Sequence, residues 1–157
     1  MSKNETQPIG GEICIVSSCG GHLTEVRCLL PAYQDLAHFY VLNQAVMLPA
    51  DMDGRTLVIS HSERDWRTIV NLWEAYQILS RTRPKVILST GAGPVVPFAL
   101  IGRLLFGTHI IFIETITRVQ NPSLTGRIMY WLAHDFFYQW RGLKRHFPKG
   151  QFGGPLL

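Results

Sequence analysis

The sequence predicts an α/β protein whose parallel sheet is covered by helices on both faces. Strand-like and helix-like segments alternate along almost the whole length of the 157 residues. Several strand-like segments are apolar throughout, which is typical of strands buried on both faces. Glycine-rich or polar turns follow three of these strands, at the end of a parallel sheet where ligands bind.

Length and composition fit one globular domain, because 157 residues with 46% hydrophobic content can bury a sizeable core. The net charge of +4 suits an anionic ligand or an anionic membrane surface and does not indicate nucleic acid. Cys14, Cys19 and Cys28 have no paired spacing, which argues against a disulfide framework and for a reducing compartment. No Cys/His quartet has ligand spacing, so the sequence predicts no metal site and no cofactor.

Residues 1–11 are polar and are predicted to form a disordered leader, followed by a single domain at residues 12–157. The leader has no apolar core like that of a signal peptide. No uninterrupted run of about 18 apolar residues is present, so a membrane-spanning helix is not expected.

The predicted strands are short apolar runs, several of them rich in β-branched residues. They cover residues 12–17, 38–42, 56–59, 85–89, 110–114 and 135–139, the last being the final strand. Residues 43–55 contain Pro49, two aspartates and Gly54, and are predicted to be irregular.

The predicted helices place apolar residues three and four positions apart. They cover residues 22–37, 65–81, 95–106 and 124–133. Pro31 should break or kink the first helix, because proline lacks an N–H and clashes with the preceding turn. Pro84 ends the second helix.

The turn between the first strand and the first helix is the most informative segment. Gly20 and Gly21 allow the main chain to approach a ligand closely, and the first helical N–H groups point toward it. His22 follows directly and can accept a proton near pH 7. The segment matches neither a P-loop nor a dinucleotide fingerprint, so it predicts either a polar-ligand site beside a general base or a purely structural turn.

Three turns are predicted to converge on one rim of the sheet. They comprise residues 19–22, 90–94 and 114–118, each following a predicted strand. Because parallel strands end at the same edge, polar groups from these turns are expected to build one site.

Four ordered blocks of sequence carry a resemblance to one family. They are residues 18–25, residues 89–97, residues 112–119 with 123–127, and residues 135–140. Together they resemble the split glycosyltransferases, and the resemblance extends over residues 12–157. Relatives include a eukaryotic subunit that recruits its catalytic partner to the endoplasmic reticulum. Closer in size are bacterial capsule and exopolysaccharide proteins of the PssD and CpsF type.

The resemblance implies a Rossmann-like domain equivalent to the N-terminal domain of a GT-B glycosyltransferase such as MurG, which carries a similar Gly-Gly-His turn. It implies a two-component inverting enzyme that transfers glucuronic acid, galactose or N-acetylglucosamine from a UDP-sugar to a polyprenyl-diphosphate-linked glycan. This chain would form the acceptor-binding half and recruit a donor-binding C-terminal-half subunit to the membrane. The alternative is a non-catalytic scaffold that anchors and stabilises a catalytic partner.

In light of this resemblance, His22 is the first candidate for the base, with a structural helix-capping histidine as the alternative. Glu114 ends an apolar strand and is the second catalytic candidate, either orienting His22 or forming an ion pair with Arg118. The glycine turn at residues 91–94 is expected to hold the diphosphate of acceptor or donor, unless it is a plain connection. The predicted substrate-binding residues are Cys19, Gly20, Gly21, Thr90, Gly91, Gly93, Pro94 and Arg118.

The eukaryotic relatives carry an N-terminal membrane anchor that this sequence does not show, so membrane contact is expected elsewhere. The apolar helix at residues 95–106, with one basic residue, predicts contact with a headgroup region, unless it is simply a core helix. The predicted contact residues are Phe98, Ile101, Arg103, Leu104 and Leu105. The predicted location is cytoplasmic, peripheral on the inner membrane. Trp140, Phe152 and Leu156 are predicted at the interface with the partner subunit, with core packing as the alternative for Trp140.

Overall fold

Seven parallel strands form one sheet in a computed structural model that describes residues 9–43, 48–60, 67–91 and 93–157. The strands are β1 (Ile13–Ser17), β2 (His38–Leu42), β3 (Thr56–Val58), β4 (Val86–Ser89), β5 (His109–Ile113), β6 (Asp135–Tyr138) and β7 (Gln151–Phe152). Their order across the sheet is β3-β2-β1-β4-β5-β6-β7. Every neighbouring pair is parallel, which confirms the predicted parallel sheet.

Five α-helices are present in the described ranges between these strands. They are α1 (Gly21–Cys28), α2 (Leu30–Tyr33), α3 (Arg67–Thr82), α4 (Val95–Phe106) and α5 (Leu124–Leu132). The break expected from Pro31 is confirmed, since Leu29 separates α1 from α2 and proline has no N–H to continue the ladder. The helical segment ends at Tyr33, before the predicted residue 37. The predicted start of the next helix, residues 65–66, lies outside the described residues.

Strand β7 shows that the prediction of residues 135–139 as the final strand is wrong. Gln151 and Phe152 pair in parallel with Phe137 and Tyr138 of β6. A strand of two residues beside two glycines has no periodic pattern, so its sequence carries no strand signal.

Two clusters of buried side chains lie on opposite faces of the sheet. Alternation along β1 puts Cys14 and Val16 in the larger cluster and Ile13 and Ile15 in the smaller one. Residues of α3, α4 and α5 pack in the larger cluster, and residues of α1 and α2 pack in the smaller. Ile9 also packs against the larger cluster, although it belongs to the predicted leader, whose residues 1–8 lie outside the described residues.

The smaller cluster borders an apolar groove of about 350 Å³. Leu29 and Tyr33 line one side of the groove, and Leu88 and Ile113 line it from the sheet. Leu156, near the end of the sequence, also lines it. None of the helices in the described ranges is both long enough and apolar enough to cross a bilayer.

The strand order reverses between β1 and β4. Strands β2 and β3 extend the sheet on one side of β1, whereas β5, β6 and β7 extend it on the other side of β4. At such a switch point the connections leave in opposite directions and open a crevice at the carboxyl ends of the strands. The turn before α1 and the turn before α4 therefore lie next to each other.

Candidate functional site

A cleft of about 510 Å³ occupies this switch point, and we call it the larger cleft. It brings together His22 from α1, Gly91 and Gly93 from the turn after β4, and Arg118 from the segment after β5. Its other described lining residues are Asn71, Val96, Pro97, Thr115, Thr117, Ser123, Leu124, Thr125 and Ile128. Four of the predicted site residues thus share one cavity.

His22 is fixed at the edge of the cleft by two hydrogen bonds to Thr90. Its Nδ1 lies 3.2 Å from the Thr90 carbonyl oxygen, and the Thr90 hydroxyl donates to the His22 carbonyl oxygen over 2.8 Å. A carbonyl only accepts, so Nδ1 carries the hydrogen in the neutral ring and Nε2 keeps its lone pair. Nε2 has no hydrogen-bond partner within the described part of the chain, which leaves it available to take a proton.

Gly91 provides the surface on which the His22 ring rests. Its φ of +132° favours glycine, and a Cβ there would lie 2.7 Å from Cε1 of His22 and 2.9 Å from Nδ1. The Ser89 hydroxyl donates to the Gly91 carbonyl and accepts from the Gly91 N–H, which fixes the turn. Any larger residue at position 91 would displace the imidazole.

Glu114 is fully buried behind the larger cleft and lines no part of it. Its carboxylate accepts hydrogen bonds from the N–H of Thr115 at 3.1 Å, and from the N–H and hydroxyl of Ser123 at 3.2 and 2.8 Å. Burial raises the pKa of this carboxyl, while the bonds from Ser123 and Thr115 oppose that rise. Among the described residues it forms neither a hydrogen bond with His22 nor an ion pair with Arg118.

Ser123 connects this carboxylate to α5. Its hydroxyl accepts from the Gly126 N–H at 2.8 Å, as an N-cap does. A Cβ at Gly126 would lie 1.7 Å from Oε2 of Glu114, so the helix approaches the carboxylate without a side chain between them. Glu114 therefore fixes the segment that carries Arg118 into the cleft.

Glu25 is a site residue that the sequence interpretation missed. It is 2% exposed, and its Oε1 accepts from the Ile116 N–H at 2.7 Å and the Thr115 hydroxyl at 2.9 Å. It lies three residues after His22, on the same side of α1, and this spacing is the signal that sequence reasoning could have used.

The remaining predicted binding residues lie in the turns that precede α1 and α4, beside the larger cleft. Thr90 and Pro94 are buried, Thr90 bonding His22 and Pro94 preceding α4. The Cys19 N–H donates to Asn43 Oδ1 at 3.2 Å, and its side chain packs against the smaller cluster. Gly20 adopts a φ of +101° at the start of α1. Within the described ranges, no three His, Cys, Asp or Glu side chains are grouped as a metal site would need.

The family of this chain follows from a match to a known protein family. The model described as "Oligosaccharide biosynthesis protein Alg14 like" matches residues 52–156, which is more than half of the chain. The chain belongs to the Alg14-like family. The match includes Gly91, Glu114 and Arg118 and begins after His22.

The human protein "UDP-N-acetylglucosamine transferase subunit ALG14" is 25% identical to this Alg14-like chain over 179 residues, covering 92% of the chain and 82% of the human protein. UDP-GlcNAc 2-epimerase from Methanocaldococcus jannaschii superimposes with a TM-score of 0.66 at 14% identity, over 87% of this chain and 42% of the epimerase. MurG from Acinetobacter baumannii gives 0.63 at 14% identity, over 81% and 40%. The predicted Rossmann-like fold is confirmed, and the chain spans about two fifths of the length of these two solved structures.

Some of the residues predicted to contact a membrane are exposed in this Alg14-like chain, and others are buried. Leu104 and Leu105 are 69% and 59% exposed, and Arg103 donates to the Leu132 carbonyl oxygen at 2.7 Å. Ile101 packs partly buried against the larger cluster. The prediction for Phe98 is wrong, because its side chain is fully buried in that cluster on the inner face of α4.

The residues predicted at a partner interface lie near β6 and β7. The indole N–H of Trp140 donates to the Ile116 carbonyl at 2.6 Å. Phe152 is 42% exposed, and the guanidinium of Arg141 lies 4.4 Å from its ring centre. Leu156 lines the apolar groove, and its N–H donates to Gln139 Oε1 at 2.8 Å. Trp140 therefore helps to hold the loop after β5, Phe152 lies on the surface, and Leu156 packs partly buried against the smaller cluster.

Proposed function

We propose that this chain is the acceptor-side subunit of a two-component inverting glycosyltransferase and that His22 is its general base. The observation that carries the proposal is the Thr90 carbonyl bond to Nδ1, which leaves Nε2 of His22 available at the cleft. The human relative is named as a UDP-N-acetylglucosamine transferase subunit, which supports the reaction class. N-acetylglucosamine, glucuronic acid and galactose remain the candidate donor sugars.

The proposed reaction transfers one proton, forms one glycosidic bond and breaks the bond between the sugar and UDP. Nε2 of His22 takes the proton of the acceptor hydroxyl as that oxygen bonds to the anomeric carbon with inversion. The bond from the anomeric carbon to the UDP oxygen breaks, and UDP leaves with the electron pair. The Thr90 carbonyl stabilises the imidazolium through the Nδ1 hydrogen.

Diphosphate charge would be neutralised in the larger cleft. Arg118 is exposed there, and the turn at Gly91 and Gly93 leads into the start of α4, whose first N–H groups favour anions. Glu114 would act indirectly, by holding the segment that carries Arg118. This assigns Glu114 a positioning role in the proposed reaction.

The donor-binding half would come from a separate C-terminal-half subunit. Residues 12–157 would then form one acceptor-side half domain, with the partner docking near Phe152 and the groove closed by Leu156. The word "subunit" in the name of the human relative, of which this chain covers 82%, supports a second polypeptide. A polyprenyl-diphosphate-linked glycan of capsule or exopolysaccharide synthesis, at the cytoplasmic face of the inner membrane, is the proposed acceptor.

A transfer assay on membranes tests the proposal. A panel of UDP-sugars would be offered to this chain alone, to the partner alone and to both, with wild-type and His22→Ala versions. Turnover is expected only with both chains, and His22→Ala should lower it by roughly 10²–10⁴-fold while co-purification with the partner persists. His109→Ala is the matched control, because His109 lies at the opposite end of the sheet.

Full turnover by the partner alone would overturn the half-enzyme proposal and leave this chain as a scaffold. Undiminished turnover with His22→Ala would overturn the assignment of the base. In either case the complex would still be detected by co-purification.

The proposed membrane contact depends on the exposed end of α4. Arg103 bonds the carbonyl groups of Trp131 and Leu132, so 77%-exposed Trp131 lies on the same surface as Leu104 and Leu105. Aliphatic, aromatic and basic side chains together suit a headgroup region.

Replacing both Leu104 and Leu105 by glutamate should weaken co-sedimentation with phosphatidylglycerol vesicles at least about tenfold, because two insertable apolar side chains are lost. Leu36→Glu is the control, since Leu36 is 46% exposed and follows α2 on the other face of the sheet. Equal vesicle binding by all three proteins would contradict the assignment of this surface.

A further inference from the structure

A cavity of about 590 Å³ lies at the amino end of the sheet, beside the end of α5, and we call it the basic pocket. Its lining includes Arg145, His146 and Lys149 from the connection between β6 and β7, and Tyr130 and Trp131 from α5. No aspartate or glutamate is among its described lining residues, and none of these residues lines the larger cleft. The basic pocket is therefore separate from the site of the proposed reaction.

The connection between β6 and β7 concentrates positive charge. Residues 141–149 contain four of the 15 lysines and arginines of the chain and no aspartate or glutamate. Arg145 and Lys149 are exposed, and neither forms an ion pair with a carboxylate in the described ranges. Asp135 lies 2.6 Å from His109 and does not line the basic pocket. Because like charges repel one another, an anion bound in this pocket would relieve that repulsion.

Three side chains of the basic pocket keep hydrogen-bond donors to offer. Nε of Arg145 donates to Nε2 of His146 at 3.1 Å, so the neutral His146 ring carries its hydrogen on Nδ1. Arg145 Nη1, His146 Nδ1 and Lys149 Nζ have no acceptor within the part of the chain that the structure describes. Guanidinium and ammonium groups are the cations that bind phosphate oxygens most often in proteins.

The loop that carries these donors is fixed on a cluster of aromatic rings. Phe147 is 2% exposed, and its ring centre lies 4.4 Å from that of Phe136 and 5.1 Å from that of Tyr130. The Lys149 N–H donates to the Tyr130 hydroxyl at 2.9 Å. A Cβ at Gly150 would lie 3.1 Å from the Phe136 ring, so the backbone packs directly on the cluster. Since this backbone is ordered without a ligand, binding one costs less conformational entropy.

Trp131 joins the basic pocket to the surface that we propose contacts a membrane. Its side chain is 77% exposed, lines the pocket and packs with its edge toward Tyr130. Its carbonyl oxygen accepts from Arg103, the residue before Leu104 and Leu105. Exposed tryptophan favours the boundary between water and lipid, at the level of the headgroups. A bilayer in contact with this surface would therefore present phosphate groups to the pocket.

We propose that the basic pocket binds the phosphate of an anionic phospholipid at the membrane surface, with Arg145, His146 and Lys149 as donors. The ligand is a lipid because a soluble phosphate compound would leave Trp131 and the neighbouring leucines in water. The pocket lies at the amino end of the sheet and the larger cleft at the carboxyl end, so a bound lipid leaves the cleft open. This inference rests on the membrane contact in the proposed function and adds the class of lipid that the contact selects.

Co-sedimentation with vesicles tests the proposal. Phosphatidylglycerol vesicles are compared with phosphatidylcholine vesicles, because only the former carry a net negative charge. Arg145→Gln combined with Lys149→Gln should weaken binding to phosphatidylglycerol about thirtyfold, since each cation close to an anionic bilayer contributes about fivefold. The same double variant should bind phosphatidylcholine as the wild type does.

Arg141→Gln combined with Lys144→Gln is the matched control. It removes the same charge from the same connection, but neither residue lines the basic pocket. It should weaken binding to phosphatidylglycerol by less than about fivefold. Equal weakening by the two double variants would show general attraction to an anionic surface and would overturn the proposed site.

An NMR titration of the wild-type chain separates a lipid from a soluble phosphate compound and does not depend on the folding of a variant. The probes are short-chain phosphatidylglycerol below its micelle concentration and glycerol phosphate. The lipid should shift the amide signals of residues 130–131 and 145–147 at a lower concentration than glycerol phosphate does. Equal affinity for the two probes would overturn the assignment to a lipid, and the absence of any shift would overturn the site.

Failure of this inference and failure of the proposed function give different results. Vesicle binding that ignores Arg145 and Lys149 but is lost with glutamate at positions 104 and 105 overturns the inference alone. The reverse pattern overturns the proposed insertion of Leu104 and Leu105 and leaves the basic pocket standing. Neither the partner nor a UDP-sugar is present in these assays, so their results do not depend on whether His22 is the base.

Discussion

The carboxylates at the two ends of the parallel sheet differ in burial and in the groups that bind them. At the amino end, Glu12 pairs with Lys85, and Asp135 lies 2.6 Å from His109, both pairs on the surface. At the carboxyl end, Glu25 and Glu114 are buried and receive hydrogen bonds from neutral N–H and hydroxyl groups.

The two kinds of carboxylate differ in what they cost in folding free energy. Exposed ion pairs change stability little, whereas a buried carboxylate without a cation must be held by well-placed donors. Glu25 and Glu114 together receive bonds from the consecutive N–H groups of Ile116 and Thr115. The carboxyl end thus gives up stability to fix one segment beside the cleft, as functional sites commonly do.

The largest expected effect comes from filling the space beside Glu114. Gly126→Ala would place a Cβ 1.7 Å from Oε2 of Glu114. Alanine normally favours a helix by about 1 kcal/mol over glycine, but overpacking against a fixed carboxylate should lower the free energy of unfolding by about 2 kcal/mol or more. Urea unfolding measures the change.

A double variant provides the control for that prediction. In a Glu114→Ala background the obstructing carboxylate is absent, so adding Gly126→Ala should cost much less than it costs the wild type. An equal cost in both backgrounds would show that the carboxylate is not what excludes a side chain at position 126.

Glu114→Gln should produce an intermediate effect that depends on pH. Burial raises the folded-state pKa of Glu114, so the folded state binds this proton more tightly than the unfolded state. The stability of the wild type should therefore fall, relative to the Gln variant, as the pH rises from about 4 through the raised pKa. Thermal unfolding of both proteins from pH 4 to about pH 8 checks this sign, and a constant difference would contradict it.

The same chemical change at the amino end should have the smallest effect. Glu12→Gln removes an ion pair whose Glu12 and Lys85 side chains are 46% and 76% exposed. We expect the free energy of unfolding to change by less than about 0.5 kcal/mol, and by less still in high salt. A change as large as that of Glu114→Gln would remove the distinction between the two ends.

Much of the fold was predictable because it depends on short-range patterns. Apolar runs gave the six longer strands, and Pro31 gave the break between α1 and α2. The meeting of His22 with the turn at Gly91 was also predictable, since parallel strands end at one edge.

The parts that were not predictable depend on which way a side chain faces. Nothing in the sequence distinguishes Arg118 from Ser123 as the partner of Glu114. Glu25 resembles an exposed helix residue until the segment after β5 packs over it. Phe98 illustrates the same limit, because an apolar helix does not reveal its buried face.

The contact between His22 and Thr90 joins residues 68 positions apart. His22 follows β1 and Thr90 follows β4, so this hydrogen bond, and the tautomer that it sets, require β1 and β4 to pair. Loop closure over this distance is an entropic cost that folding must meet before any long-range contact forms. The proton acceptor is therefore a product of tertiary structure, and a chain in which β1 and β4 have not docked would have the same residues without this contact.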